Sequence, residues 1–132
     1  LQTNLALAEK NTKDYVDRHI AIARKLHKPV VMEEYGYPRD GFSFDKSSTT
    51  KARDAYYKFI FDLLVTNKES SGSFTGCNFW GWAGYANPKH ISWQAGDDYT
   101  ADPAQEQQGL NSVFSTDKST LKVISDATRK MR

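Results

Sequence analysis

Two short apolar runs, Val30-Val31-Met32 and Gly76-Cys77-Asn78-Phe79-Trp80-Gly81-Trp82, constrain this chain more than any other feature. Neither reads as a strand with one face in water. Runs of this kind suit a parallel sheet covered on both faces by helices. Each follows a stretch with helical periodicity. From about Asn11 to His27, Tyr15, Val16, His19, Ile20, Ala23 and Leu26 recur at helical spacing, with Asp14, Asp17, Arg18 and Lys25 largely opposite. Lys28-Pro29 ends that helix, because the residue before proline is pushed out of helical geometry. The run Val30–Met32 then leads into polar material, Glu33 to Asp40, which reads as loop.

The second helix fits Thr49 to about Asn67, with an apolar stripe of Ala52, Tyr56, Phe59, Ile60, Leu63 and Leu64. Ser48 or Thr49 can cap its first turn. A Ser/Gly-rich connection, Lys68 to Thr75, precedes the second strand, Gly76 to Trp82. A long loop, about Ala83 to Asn111, follows; loops of that length in compact domains are often functional. The last helix, about Lys118 to Lys130, carries Leu121, Ile124, Ala127 and Met131 on one side. The order α-β-α-β-α implies an α/β fold with a parallel sheet under helices. Two strands cannot make such a sheet. Residues 1–132 are therefore expected to be part of one domain whose other strands come from a longer chain or a partner. The start at Leu1 rather than Met, with no visible signal peptide, agrees with that expectation.

Composition narrows the function classes. Eighteen basic against sixteen acidic residues leave a charge of +2, and the basic residues are dispersed. That argues against a phosphate-backbone binder, so no nucleic-acid partner is expected. No apolar run is long enough for a membrane span. Cys77 is the sole cysteine, so no intrachain disulfide can form. His19, His27 and His90 do not have the spacing of a zinc site, and neither metal nor organic cofactor is expected.

The chemistry concentrates at the strand ends. Alternation in a regular strand puts Val30, Met32 and Glu34 on one side and Val31 and Glu33 on the other. A carboxylate pointing inward at the C-terminal end of a barrel strand sits where TIM-barrel enzymes keep their catalysis. The competing reading makes both glutamates solvent-exposed loop charges. On the second strand, alternation groups Asn78, Trp80 and Trp82 against Cys77 and Phe79. Two indoles on one face can stack on sugar rings or can simply be core. Gly81 between them permits close backbone approach.

Lys28-Pro29-Val30-Val31-Met32-Glu33-Glu34-Tyr35-Gly36 resembles the seventh strand of glycoside hydrolase family 5, and Asn78-Phe79-Trp80-Gly81-Trp82 its eighth. Trp93-Gln94-Ala95-Gly96-Asp97-Asp98-Tyr99, with Asp102–Glu106 and Gln108–Phe114, is most similar to the endo-β-1,4-mannanase branch, particularly its Bacteroidetes members. The resemblance runs from about Asn11 onward. It implies the C-terminal part of a (β/α)8 TIM barrel, strands seven and eight with flanking helices. It also implies that Glu34, not Glu33, is the nucleophile and that Trp80 floors the neighbouring sugar subsite, with Trp82 a second candidate. Arg39, His90, Trp93 and Asp98 fall on loops expected to overhang the cleft, where a structural role stays equally open.

One departure is large. The family's acid/base glutamate, and its histidine, tyrosine and arginine from earlier strands, have no counterpart here. Retaining hydrolysis needs two carboxyl groups, so the chain is expected to be inactive until joined to the N-terminal portion of the barrel. The implied reaction is endo-hydrolysis of β-1,4-mannosidic bonds in mannan or glucomannan, with retention. Such a polymer implies a secreted, periplasmic or cell-surface location. A glucanase of the same family, a non-catalytic carbohydrate-binding barrel and a plain interaction domain are the alternatives.

Overall fold

The computed structural model describes residues 2–132. The first helix, α1, runs Gln2–Leu26, well upstream of the expected start. Leu5 and Ala8 explain the extension: they prolong the apolar stripe and pack against the core from the added turns. His27, at φ 51°, stops the helix, and the chain enters β1, Val30–Tyr35. A single 3-10 turn at Asp40–Phe42 leads to α2, Lys51–Glu69. Next come β2, Phe74–Phe79, and a three-residue strand β3, Trp82–Gly84. The two-residue β4, Val113–Phe114, precedes the last helix α3, Lys118–Met131.

β1 and β2 pair in parallel, joined by α2 as a βαβ unit. One face of this pair is sealed by helices. Tyr35, Tyr57, Ile60, Tyr56 and Tyr37 form one buried cluster; Val16, Ile20, Leu64 and Phe74 form a second. Aromatic edges knit the first cluster: Tyr35 meets Tyr57 at 5.1 Å and 74° between ring planes, and Tyr57 lies 5.8 Å from Phe79. The opposite face of the sheet is open, and Val31 is 46% exposed there. Parallel sheets are covered on both faces, so this two-stranded one is incomplete.

Three local expectations need correcting. Glu33, Glu34 and Tyr35, read as loop, continue β1. The run Gly76–Trp82 is not one strand: β2 ends at Phe79, the Trp80–Gly81 peptide is cis, and Trp82 starts a separate strand paired with β4. Likewise, neither Ser48 nor Thr49 caps α2. Asp40 does so from eleven residues upstream, accepting from the Lys51 and Ala52 amides at 2.8 and 3.1 Å and from the Thr49 hydroxyl at 2.5 Å. Burial alone would raise the Asp40 carboxyl, but the Thr49, Ala52 and Lys51 hydrogen bonds outweigh it and hold it below the usual range.

The long segment after β3 is ordered by its own polar groups. The buried Asp102 carboxylate accepts from the Gly109 and Asn111 amides at 2.8 and 2.9 Å and from the Ser112 hydroxyl. Gln108, 1% exposed, donates to the Pro103 carbonyl at 2.7 Å and accepts from the Thr100 hydroxyl at 2.7 Å. Buried polar groups satisfied this way replace the ladder that the loop lacks.

Candidate active site

Between Met32↔Cys77 and Tyr35↔Phe79 the register shifts by one residue. Glu33 and Glu34 together therefore lie opposite the single residue Asn78, as in a β-bulge. Met32 and Tyr35, three positions apart, both pack against the helix-side core. The two glutamates between them are exposed, away from that core. This overturns the alternation that put Glu34 on the side of Met32. On β2 the alternation holds as far as Phe79: Cys77 and Phe79 pack inward under the helices while Asn78 is exposed.

The strand ends are clamped together. The Trp80 amide donates to the Tyr35 carbonyl at 2.6 Å, which ties the end of β2 to the residue after Glu34. A β-carbon on Gly36 would lie 3.1 Å from the Trp80 carbonyl, so only glycine fits comfortably there. Tyr57, fully buried on α2, donates its hydroxyl to that same carbonyl at 3.3 Å. Burial pushes the Tyr57 hydroxyl well above its ordinary pKa, so it stays a neutral donor. The indoles of Trp80 and Trp82 remain 40% and 54% exposed at this end of the sheet. Trp80 lies just past the end of β2 and Trp82 opens β3, so the alternation of a single strand does not place them. A groove of about 770 Å³ runs along the unpaired edge of β1, between Thr12, Tyr15 and His19 of α1 and Val31, Glu33 and Glu34.

The four loop residues divide. Arg39 does not overhang anything: it is fully buried, and one of its terminal nitrogens donates to both Asp117 carboxylate oxygens at 2.7 and 2.6 Å. His90 is half exposed, and its Nδ1 pairs with Asp97 at 2.9 Å. That bond, more than anything else, holds the Asp97 carboxyl below the usual range. Trp93 donates its ring N–H to the Asp97 carbonyl at 3.2 Å and stacks on Tyr99. Asp98 accepts from the Asn87 amide at 2.8 Å.

Sequence reasoning passed over Tyr57, Asp102 and Asp117. A buried tyrosine in a helix stripe reads as core, and aspartates in loops read as solvated. Among the described residues, no cluster of three or more His, Cys, Asp or Glu could hold a metal. Nor is any helix among them long and apolar enough to cross a membrane.

Across its whole length, residues 1–132, the chain matches the family described as GH family 5 beta-mannosidase-like. It belongs to glycoside hydrolase family 5. Solved structures of family 5 mannosidase from Rhizomucor miehei superpose on this family 5 chain with TM-score 0.85 at 29% identity. The match covers 96% of the chain and 32% of that protein. Two glutamate-to-alanine variants of the same enzyme match over the same shares at 28% identity, with TM-scores of 0.86 and 0.85. The second of them is in complex with mannosyl-fructose. The chain thus spans about a third of the length of these relatives and is a partial barrel. That accounts for the bare sheet face: β1 and β2 are parallel strands of a (β/α)8 barrel whose other strands lie outside this chain. No curated protein sequence matches the chain. The Bacteroidetes character of the loop tract finds no counterpart among these structures.

Proposed function

We propose that this chain is the C-terminal part of a retaining glycoside hydrolase of β-mannosides, and that it supplies the nucleophile, Glu34. The observation carrying this reading is the register shift opposite Asn78, which leaves both Glu33 and Glu34 exposed at the C-terminal end of a parallel strand whose end is clamped to Trp80. Of the two, Glu34 is the one that matches the family's nucleophile position. Barrel enzymes do their chemistry at that end. In the proposed reaction the Glu34 carboxylate attacks the anomeric carbon, and a second carboxylic acid protonates the departing oxygen. The same acid, now a base, takes a proton from the water that releases the sugar. That partner must sit about 5–5.5 Å from Glu34. We assign it to the rest of the barrel, so the chain by itself is silent.

Trp80 is the proposed floor of the sugar subsite, with its exposed indole presenting an apolar face to the C–H side of a pyranose. Trp82 extends that surface. For the substrate we carry forward endo attack on mannan or glucomannan. Polymer cleavage in turn argues for a secreted, periplasmic or cell-surface enzyme. A second reading, release of mannose from short mannosides, is favoured by the β-mannosidase-like description of the family and by the mannosyl-fructose complex of the relative. A rapid fall in mannan viscosity ahead of reducing-sugar release would mark the endo mode, and the reverse order the exo mode.

The test of the nucleophile is covalent trapping. A 2-deoxy-2-fluoro-β-mannosyl fluoride, added to the full-length enzyme, is expected to leave one glycosyl adduct on the peptide holding Glu34. Glu34→Gln should lower turnover by about three orders of magnitude or more. An adduct on Glu33 or on a residue of another strand would remove Glu34 from that role.

A further inference from the structure

The long loop after β3 carries an aromatic pair that the reaction scheme leaves unused. Trp93 and Tyr99 stack almost parallel, with ring centres 5.3 Å apart and 10° between planes. Trp93 is fixed from several sides: its ring N–H goes to the Asp97 carbonyl, and its backbone amide donates to the Ala104 carbonyl at 3.1 Å. Asp97 is itself 8% exposed and held by His90 and by the Gln94 amide at 3.0 Å. Tyr99, by contrast, is 79% exposed. One ring is anchored, and the other is supported on one face and left uncovered by the rest of this chain.

Isolated exposed aromatics need no explanation, but a held aromatic plane next to a sugar cleft does. Its place in the fold is fixed by Ala101, two residues on. A β-carbon on Gly81 would lie 2.7 Å from the Ala101 β-carbon, and the Ala101 amide donates to the Ser112 hydroxyl at 3.0 Å. Gly81 separates Trp80 from Trp82. Two residues of chain span at most about 7 Å, so Tyr99 sits at the same end of the sheet as both indoles.

We propose that Tyr99, backed by Trp93, is a distal sugar-binding platform that stacks on a mannosyl unit remote from the bond being cleaved. The proposal rests on the mannoside reading and deepens it, because it assigns the enzyme a preference for longer substrates. The rigid stack lowers the entropy cost of contact, since the ring is already held in its plane. The Tyr99 hydroxyl plays no part in the contact; the ring face does.

The experiment uses the full-length enzyme and compares kcat/KM on β-1,4-mannobiose and β-1,4-mannohexaose for the wild type, Tyr99→Ala and Tyr99→Phe. Tyr99→Ala is expected to lose about five- to tenfold on the hexaose, the worth of one aromatic stacking contact, and nothing on the biose. Tyr99→Phe should match the wild type on both. Equal losses on the two substrates, or no loss on either, overturn the platform while leaving the proposed reaction intact. If the wild type cleaves neither substrate, the mannoside reading fails and the platform falls with it.

Discussion

Tyr57 of α2 and Trp80 at the end of β2 are joined by a hydrogen bond of 3.3 Å from a buried hydroxyl to a backbone carbonyl. The bond reaches through the helix–sheet interface, so a residue of the core sets the position of a residue of the candidate site. The same carbonyl is hemmed in by Gly36 on the other strand. Tyr57→Phe in the full-length enzyme is expected to cost about 1 kcal/mol in urea unfolding, the net worth of one such bond. If Trp80 floors the sugar subsite, kcat/KM on mannosides should fall with it. Unchanged kinetics with reduced stability would separate Tyr57 from the site.

Asp117 faces two buried guanidinium groups, with Arg39 at 2.6 Å and Arg53 at 3.6 Å. It also accepts from the Phe114 amide at 2.9 Å. Arg53 is otherwise spent on the Tyr37, Ser112 and Leu110 carbonyls. Asp117→Ala would strand two positive charges away from water. A loss of about 3–5 kcal/mol is expected, read from the urea midpoint of the full-length enzyme. A loss below about 1 kcal/mol would mean that the backbone carbonyls suffice.

Asp40 gives the acid dependence of the α2 start. Its carboxyl is lowered in the folded protein relative to the ordinary 3.8. A carboxyl lowered on folding contributes stability that is complete above its unfolded pKa and is lost as pH falls through the folded one. Asp40→Asn should therefore lower Tm by about 2 °C at pH 7, and the gap to the wild type should narrow below about pH 4. A gap independent of pH would show that the cap works without its charge.

Gly96 and Gly109 make a matched pair. Both have positive φ, 92° and 95°, but a β-carbon at Gly96 meets nothing within 4 Å while one at Gly109 lies 2.9 Å from the Phe44 carbonyl. Gly96→Ala is expected to cost about 1 kcal/mol for backbone strain alone. Gly109→Ala should cost about 1–3 kcal/mol more, because a backbone oxygen cannot step aside. Equal costs from thermal or urea unfolding would contradict the contact at Phe44.

Much of the fold could be read from the chain alone, because each helix writes its buried face into its own sequence. The stripes of α1, α2 and α3, and the apolar runs of β1 and β2, pointed to parallel strands under helices and to a sheet needing more strands. Alternation also predicted that Cys77 and Phe79 would part from Asn78. Those are short-range periodicities, and tertiary packing had only to agree with them. What packing decided lay between residues far apart in sequence. The register shift that parts Glu34 from Met32 exists only because β1 pairs with β2 about forty residues away. Asp40 displaced Ser48 and Thr49 as the cap because its backbone amide, bonded to the Thr49 carbonyl, holds it against the helix start. Arg39 left the cleft for the core because Asp117, 78 residues on, offers it a buried counter-charge. Periodicity reports which side of its own element a residue faces; only the folded chain reports what waits there.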